Sequence, residues 1–131
     1  MVNPYLIHPA TIMEKIREAD SIHTYRLRLN DEEARRNFRF TAGQFNMVYL
    51  FGVGEVAISI VSDPEEPERL DHTIRSVGRV TSAIAQLQAG ETLGIRGPFG
   101  QGWPLHAARG HDVVIVTGGL GCAPVMGAIE Y

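Results

Sequence analysis

Short strand-like runs separated by turn signals fill the first 110 residues of this chain, and their spacing constrains the fold more than any other feature. Two early runs, at 10–17 and 21–29, alternate apolar and polar side chains as half-buried strands do. Four more strand segments are predicted within residues 38–50, on both sides of Ala42-Gly43, and at 56–62, 72–77 and 91–100. About six short strands at this spacing predict a mainly β fold, a small antiparallel six-stranded Greek-key barrel.

One short helix is predicted within residues 78–91, GRVTSAIAQLQAGE. Thr81 or Ser82 can cap its N-terminus, Ile84 and Leu87 supply an apolar face, and Gly90 ends it. The preceding charged segment NDEEARRN, residues 30–37, is expected to be a solvated loop.

A second unit is predicted to begin near residue 111. The run DVVI at 112–115 has the character of a buried strand, and GGLG at 118–121 follows it with small residues suited to a helix start. This arrangement is typical of the opening of an α/β nucleotide-binding domain, although no Gly-Lys-Ser/Thr follows as a P-loop requires. Residues 1–110 are therefore expected to form the barrel, and 111–131 the first strand and glycine loop of an incomplete, truncated domain.

Composition excludes several classes of function. The net charge is −3 and no basic block occurs, which argues against nucleic acid as a partner. Cys122 is the single cysteine, so neither an internal disulfide nor a cysteine metal cluster can form. The five histidines lack ligand spacing, and no metal site is predicted. Without a signal peptide or a membrane-length apolar run, a cytoplasmic location is expected.

Several motifs in a fixed order then resemble a known superfamily. Phe40 to Phe45 (FTAGQF), Ile58-Ser59-Ile60 and Gly97 to Gly100 (GPFG) precede the glycine loop at 118–121. Together they resemble the ferredoxin–NADP reductase superfamily, especially the flavin subunits of dihydroorotate dehydrogenase and the gamma subunits of sulfur-reducing hydrogenases. The resemblance implies that the barrel binds FAD and that a following domain binds NAD or NADP. It also implies electron transfer to an iron–sulfur, hydrogenase or dehydrogenase partner subunit.

The superfamily's flavin motif Arg-x-Tyr-Ser falls on Val56, Ala57, Ile58 and Ser59. By this resemblance Ser59 is the catalytic position, with its hydroxyl near flavin N5, and Ile58 covers the ring in place of an aromatic residue. Val56 stands where the motif has a phosphate-binding arginine, and Arg75 is expected to compensate, with Arg79 second. Arg75 lies in the predicted cofactor-binding triplet Thr73-Ile74-Arg75.

The resemblance also assigns phosphate-binding positions near two helix starts. By this resemblance the start of the predicted helix binds the flavin pyrophosphate, through Gly78, Val80, Thr81 and Ser82. The glycine loop of the second unit would let a dinucleotide approach the backbone, through Gly118, Gly119 and Gly121, with Pro124 following. Cys122 and Trp103 are expected to have packing roles.

Two other functions stay open at this stage. Val56 favours a barrel that has lost its flavin and serves as a non-catalytic interaction module. An independent small flavin domain with a direct electron partner is the third reading. Because the run at 113–116 is apolar and cut off from sheet partners, self-association through the C-terminal tail is also expected.

Overall fold

A computed structural model describes residues 3–131. Six antiparallel strands form one sheet in the order β4-β3-β6-β1-β2-β5. The strands are β1 His8–Ala19, β2 Ile22–Leu29, β3 Phe45–Leu50, β4 Gly54–Ser59, β5 Leu70–Arg75 and β6 Thr92–Phe99. The helices are α1 Glu32–Asn37, α2 Arg79–Ile84, α3 Leu105–Ala108 and α4 Met126–Ile129, with a 3-10 helix at Gly119–Val125. The predicted mainly β, six-stranded antiparallel architecture is confirmed, while the Greek-key description stays a prediction.

The apolar face of β2 builds the core as the alternation predicted. Tyr25, Leu27 and Leu29 are buried, whereas Arg28 is exposed. They pack with apolar residues from every other strand, and burying each large side chain contributes about 1.5–3 kcal/mol. The same core receives Ile84, so α2 is held against the sheet by its own apolar side.

The first and last strands of the sheet order, β4 and β5, meet along a seam instead of a regular ladder. Four hydrogen bonds join residues 59–62 to residues 69–72 across it. Val61 N–H donates to the Asp71 carbonyl at 2.9 Å, Asp71 N–H donates to Ser62 Oγ at 3.0 Å, and Ser62 Oγ donates to the Arg69 carbonyl at 3.0 Å. The fourth joins the His72 ring to the Ser59 carbonyl at 2.9 Å. We call this region the β4–β5 seam, and it brings the two edges of the sheet together.

The charged segment 30–37 is a helix, so the expectation of a solvated loop was wrong. Asp31 caps α1 by accepting a hydrogen bond from Ala34 N–H at 2.6 Å. Acidic residues occupy the first turn and basic residues the last, which matches the helix dipole. Ala34 is buried and anchors the short helix to the core.

Strand structure was expected on both sides of Ala42-Gly43, but it forms only on the C-terminal side, as β3. Phe38 and Phe40 are buried core residues in irregular chain, with ring centroids 6.3 Å apart. The Phe38 N–H donates to the Ala34 carbonyl at 2.9 Å and so closes α1. The end of α1 therefore uses a backbone donor that a strand would have needed.

The predicted strand at 112–115 is also absent from the described chain, and residues 112–118 are irregular. Their side chains stand in solvent, with Val114 85% and Val116 91% exposed. A strand needs a neighbour to satisfy its backbone groups, and no strand of the sheet reaches this segment. The predicted small-residue helix start does form, as the 3-10 helix and α4. Among residues 3–131, no helix is long and apolar enough to cross a membrane.

Candidate functional site

The structure brings β4, the end of β5 and the start of α2 together at the β4–β5 seam. Val56 and Ile58 lie on one face of β4 and pack, partly buried, against the edge of the core beside Val80 of α2. The Arg79 guanidinium donates to the carbonyl of Val53, in the turn before β4. Three segments predicted separately from the sequence therefore form one continuous surface.

Ser59 ends β4 and is half-buried, opposite Phe45 of β3. Its hydroxyl has no hydrogen-bond partner among residues 3–131, whereas its carbonyl accepts the bond from His72. Ala57, two positions earlier, is exposed. A free hydroxyl at the seam leaves one strong donor and acceptor available to a ligand.

Sequence reasoning missed His72, which is fully buried on β5. Its Nδ1 lies 2.9 Å from the Ser59 carbonyl and its Nε2 lies 3.2 Å from the amide nitrogen of Asn46. A carbonyl only accepts, so Nδ1 carries the proton and Nε2 accepts from Asn46. Burial lowers the pKa of His72 to about 4, against the weaker opposing effect of the bond to Ser59, so the ring is neutral. One sequence signal was available: His72 lies two residues before Ile74, so on a strand the two side chains point to the same buried face.

The three predicted residues of β5 differ in what they present. The Thr73 hydroxyl is bonded to the Thr24 hydroxyl at 2.7 Å, and Thr24 in turn donates to Glu18. Ile74 is a core residue, so only its backbone can face a ligand. Arg75 is exposed and has no ion-pair partner among the described residues.

Arg75 differs from Arg96 and Arg69, whose guanidinium groups are engaged. Arg96 holds Glu55 with two bonds, at 2.7 and 2.9 Å, and these bonds lower the pKa of Glu55. Arg69 holds the buried carboxylate of Asp71 at 2.7 Å, which raises the arginine's pKa. Arg75 is therefore an exposed arginine at the end of β5 without an ion-pair partner among the described residues.

The N-cap of α2 is Gly78, so the prediction that Thr81 or Ser82 caps the helix was wrong. Thr81 lies at the third helical position and its buried Oγ1 accepts the backbone N–H groups of Val77 and Gly78, both at 3.0 Å. Gly78 can take the extended cap conformation while Thr81 satisfies the donors from inside the helix. The exposed Ser82 hydroxyl accepts a bond from Ser76 at 3.1 Å.

The predicted dinucleotide loop lies in the tail, near β5. Gly118 and Gly119 face open space, and Gly119 has a φ of +56°. Trp103 joins this tail to the barrel, because its Nε1 donates to the Pro124 carbonyl at 2.6 Å and its backbone N–H donates to Ala42. Trp103 thus has the packing role that was expected.

Comparison with protein families assigns most of the chain to one family. Residues 9–103 match the family described as the oxidoreductase FAD-binding domain. The matched range begins in β1 and includes the whole β4–β5 seam and α2. It ends at Trp103, before the irregular segment of the tail.

Curated relatives agree with the resemblance seen in the motifs. The chain is 37% identical over 131 residues to the sulfhydrogenase 2 subunit gamma of Pyrococcus furiosus, covering 99% of this chain and 45% of that protein. It is 37% identical over 116 residues to a probable dihydroorotate dehydrogenase B (NAD(+)) electron transfer subunit of Methanocella arvoryzae, covering 88% and 40%. The chain thus spans less than half the length of these relatives.

Solved structures share the fold. The Amycolatopsis cytochrome P450 reductase GcoB superposes with a TM-score of 0.81 at 26% identity, covering 95% of this chain and 38% of that one. A ferredoxin NADP+ reductase from Neisseria gonorrhoeae, solved with FAD and NADP, gives 0.71 at 22% identity, covering 95% and 51%. The resemblance predicted from the motif order is confirmed, and the chain belongs to the oxidoreductase FAD-binding domain family.

Proposed function

We propose that this chain is the flavin-binding part of an NAD(P)H-dependent oxidoreductase that passes electrons between nicotinamide, FAD and an iron–sulfur partner subunit. The observation that carries the proposal is the β4–β5 seam: β4 ends at Ser59, whose hydroxyl is free, β5 ends at Arg75, whose guanidinium has no ion-pair partner, and both strands lie inside the matched family range. The names of the relatives, subunits of sulfhydrogenase and of dihydroorotate dehydrogenase, support a partner of this kind.

The residues at the seam fit the chemistry of FAD. Ser59 offers a hydroxyl to the polar edge of the isoalloxazine, and Ile58 offers apolar area to its face. Arg75 supplies the charge-assisted contact to the pyrophosphate that Val56 cannot make, and the start of α2 from Gly78 to Ser82 lies beside it. FAD, when bound, accepts a hydride at N5 and releases electrons singly. The chain's own contribution is to bind and orient the flavin and to shield one of its faces from water.

Further elements of the proposal concern residues 111–131 and the location of the protein in the cell. Gly118, Gly119 and Gly121 are proposed to line the entrance of an NAD(P)-binding unit that residues 1–110 precede. Positioning a nicotinamide against flavin N5 requires a complete dinucleotide domain, and such domains are built on a parallel sheet. We place the protein in the cytoplasm, where its single cysteine stays reduced.

Binding of FAD is expected to stabilise the fold and to depend on Arg75. Arg75→Ala should weaken FAD binding by roughly 1.5–3 kcal/mol, because a charge-assisted contact to phosphate is lost. Riboflavin lacks the pyrophosphate and should bind both proteins equally. Isothermal titration with each ligand measures the difference, and the melting temperature with saturating FAD gives an independent readout.

Arg28→Ala is the matched control, since Arg28 is an exposed arginine at the opposite end of β2 from Ile22, the residue that pairs with Arg75. It should leave FAD affinity unchanged. Equal losses for FAD and riboflavin in Arg75→Ala would assign Arg75 a structural role. If saturating FAD neither binds nor raises the melting temperature, the interaction-module alternative replaces the flavin proposal.

Self-association through the tail is the second proposed property. Val114 and Val116 are almost fully exposed in a run of four apolar residues, and such a run is unfavourable in water. The double variant Val114→Glu/Val116→Glu touches no residue of the sheet, and it should shift the chain toward monomer. Sedimentation velocity over a range of concentrations measures this. A wild-type chain that is monomeric at the highest concentration would contradict the proposal.

A further inference from the structure

His72 of the seam and Asn46 of β3 form a fully buried polar pair. His72 and Asn46 are both 0% exposed. Buried apolar residues accompany them: Val48 on β3 with Asn46, Ile74 on β5 with His72, and Ile60 directly after β4. Burying two polar side chains is unfavourable unless their hydrogen bonds are made. Both ring nitrogens of His72 and the amide nitrogen of Asn46 are paired, while the Asn46 Oδ1 has no partner among the described residues.

The His72 ring supplies a donor that the sheet does not. β4 pairs with β3 on one side, and on the other side it faces β5 across the seam without a ladder. The Nδ1–H of His72 bonds to the Ser59 carbonyl across that gap at 2.9 Å. The backbone of Ser59 is thereby fixed from the side on which β4 lacks a neighbouring strand.

The ring itself is held from the other end. Asn46 on β3 donates to Nε2 at 3.2 Å, which selects the tautomer that can donate to Ser59. Asn46 is confined in turn by β6, because a Cβ built on Gly97 would lie 2.2 Å from its Oδ1. The contacts Gly97–Asn46–His72–Ser59 thus run through four strands and end at the hydroxyl-bearing residue of the site.

We propose that His72 is a positioning residue for the flavin: through the Ser59 carbonyl it sets the direction of the Ser59 hydroxyl and so governs flavin affinity and potential. The inference rests on the proposed function. It goes beyond the family match, which concerns FAD binding, because His72 is fully buried and cannot contact a ligand itself. Its influence passes through one backbone hydrogen bond.

Three substitutions in the full chain separate positioning from simple stability. His72→Leu keeps apolar volume and removes both hydrogen bonds. His72→Asn places an amide donor at the Nδ1 position, whereas His72→Gln places it nearer the Nε2 position. Asp31→Ala, which removes the cap of α1, is a control that destabilises the fold away from the seam.

We expect His72→Leu to bind FAD about tenfold more weakly, since the loss of a buried hydrogen bond partner is of that order. A tenfold change in the ratio of affinities for oxidised and reduced FAD would shift the midpoint potential of the bound flavin by about 30 mV for a two-electron couple. His72→Asn should restore both values to near wild type, and His72→Gln should not. Asp31→Ala should lower the melting temperature alone.

Fluorescence titration of FAD and anaerobic potentiometry give the two readouts. Unchanged affinity and potential in His72→Leu, with only a lower melting temperature, would overturn the positioning role. If His72→Leu does not fold, the comparison of His72→Asn with His72→Gln decides, and equal values for the two would also overturn it. A wild-type chain that binds no FAD would overturn the proposed function itself, which distinguishes the two failures.

Discussion

Lowering the pH from 6.5 to 4 is expected to cost the fold about 3 kcal/mol through His72 alone. Burial lowers the folded-state pKa of this histidine from 6.5 to about 4. Between those values the unfolded chain binds a proton that the folded chain does not, so stability falls as the pH falls, by about 1.4 kcal/mol per pH unit. Above pH 6.5 the contribution is fully present.

Urea unfolding at intervals from pH 7.5 to 4 measures this loss, with His72→Asn as the comparison. Carboxylates and exposed histidines titrate in both proteins, so the difference between the two curves isolates His72. His23, for example, has its pKa lowered by desolvation and by Lys15 in either protein. Parallel curves for wild type and His72→Asn would show that His72 is not buried as a neutral ring.

Gly97→Ala is expected to destabilise the fold by about 3 kcal/mol, near the upper end of the range for overpacked cores. The new Cβ would meet Asn46 Oδ1 at 2.2 Å and Asn46 Cγ at 3.2 Å. Gly97 also has a φ of +151°, which L side chains rarely adopt. The neighbour cannot yield easily, because Asn46 is fully buried and bonded to His72.

Gly90→Ala separates the cost of the steric clash from the cost of the positive φ. Gly90 has a φ of +94°, but a Cβ there meets nothing within 4 Å. It should cost about 1 kcal/mol from backbone strain alone. Combining Gly97→Ala with Asn46→Ala should recover part of the loss, since the two sites are in contact. Denaturant unfolding measures Gly97→Ala, Gly90→Ala, Asn46→Ala and the double variant, and equal costs at Gly97 and Gly90 would rule out the clash.

The parts of the fold that could be predicted from the sequence are those that depend on local periodicity or on the order of motifs. Leu27 and Leu29 alternate with Arg26 and Arg28, and an antiparallel strand with one buried face needs nothing more to be recognised. The surface proposed to bind flavin was predicted because its motifs follow one another in the order and at the spacing of the family. That order survives even where a single position, Val56, departs from the pattern.

Features that depend on distant partners were misread or missed. The charges of 31–37 suggested solvent, although Asp31 at the cap and basic residues in the last turn were signals for a helix. Phe38 and Phe40 resemble strand residues, and only the tertiary fold shows that they serve as core anchors outside the sheet. His72 acquires its role from Ser59 and Asn46, which lie on other strands, so sequence spacing could not reveal it.

The position of β6 has a consequence for how the protein is made. β6 lies between β3 and β1, so the β3–β4 hairpin and the β1–β2–β5 group have no ladder joining them until residues 92–99 have been synthesised. On the ribosome, any strand pairs that form before β6 is synthesised leave open edges, which can pair with other chains. Such non-local closure is slow. We expect the yield of folded protein to depend on translation speed and chaperone supply more than on the stability of the finished barrel.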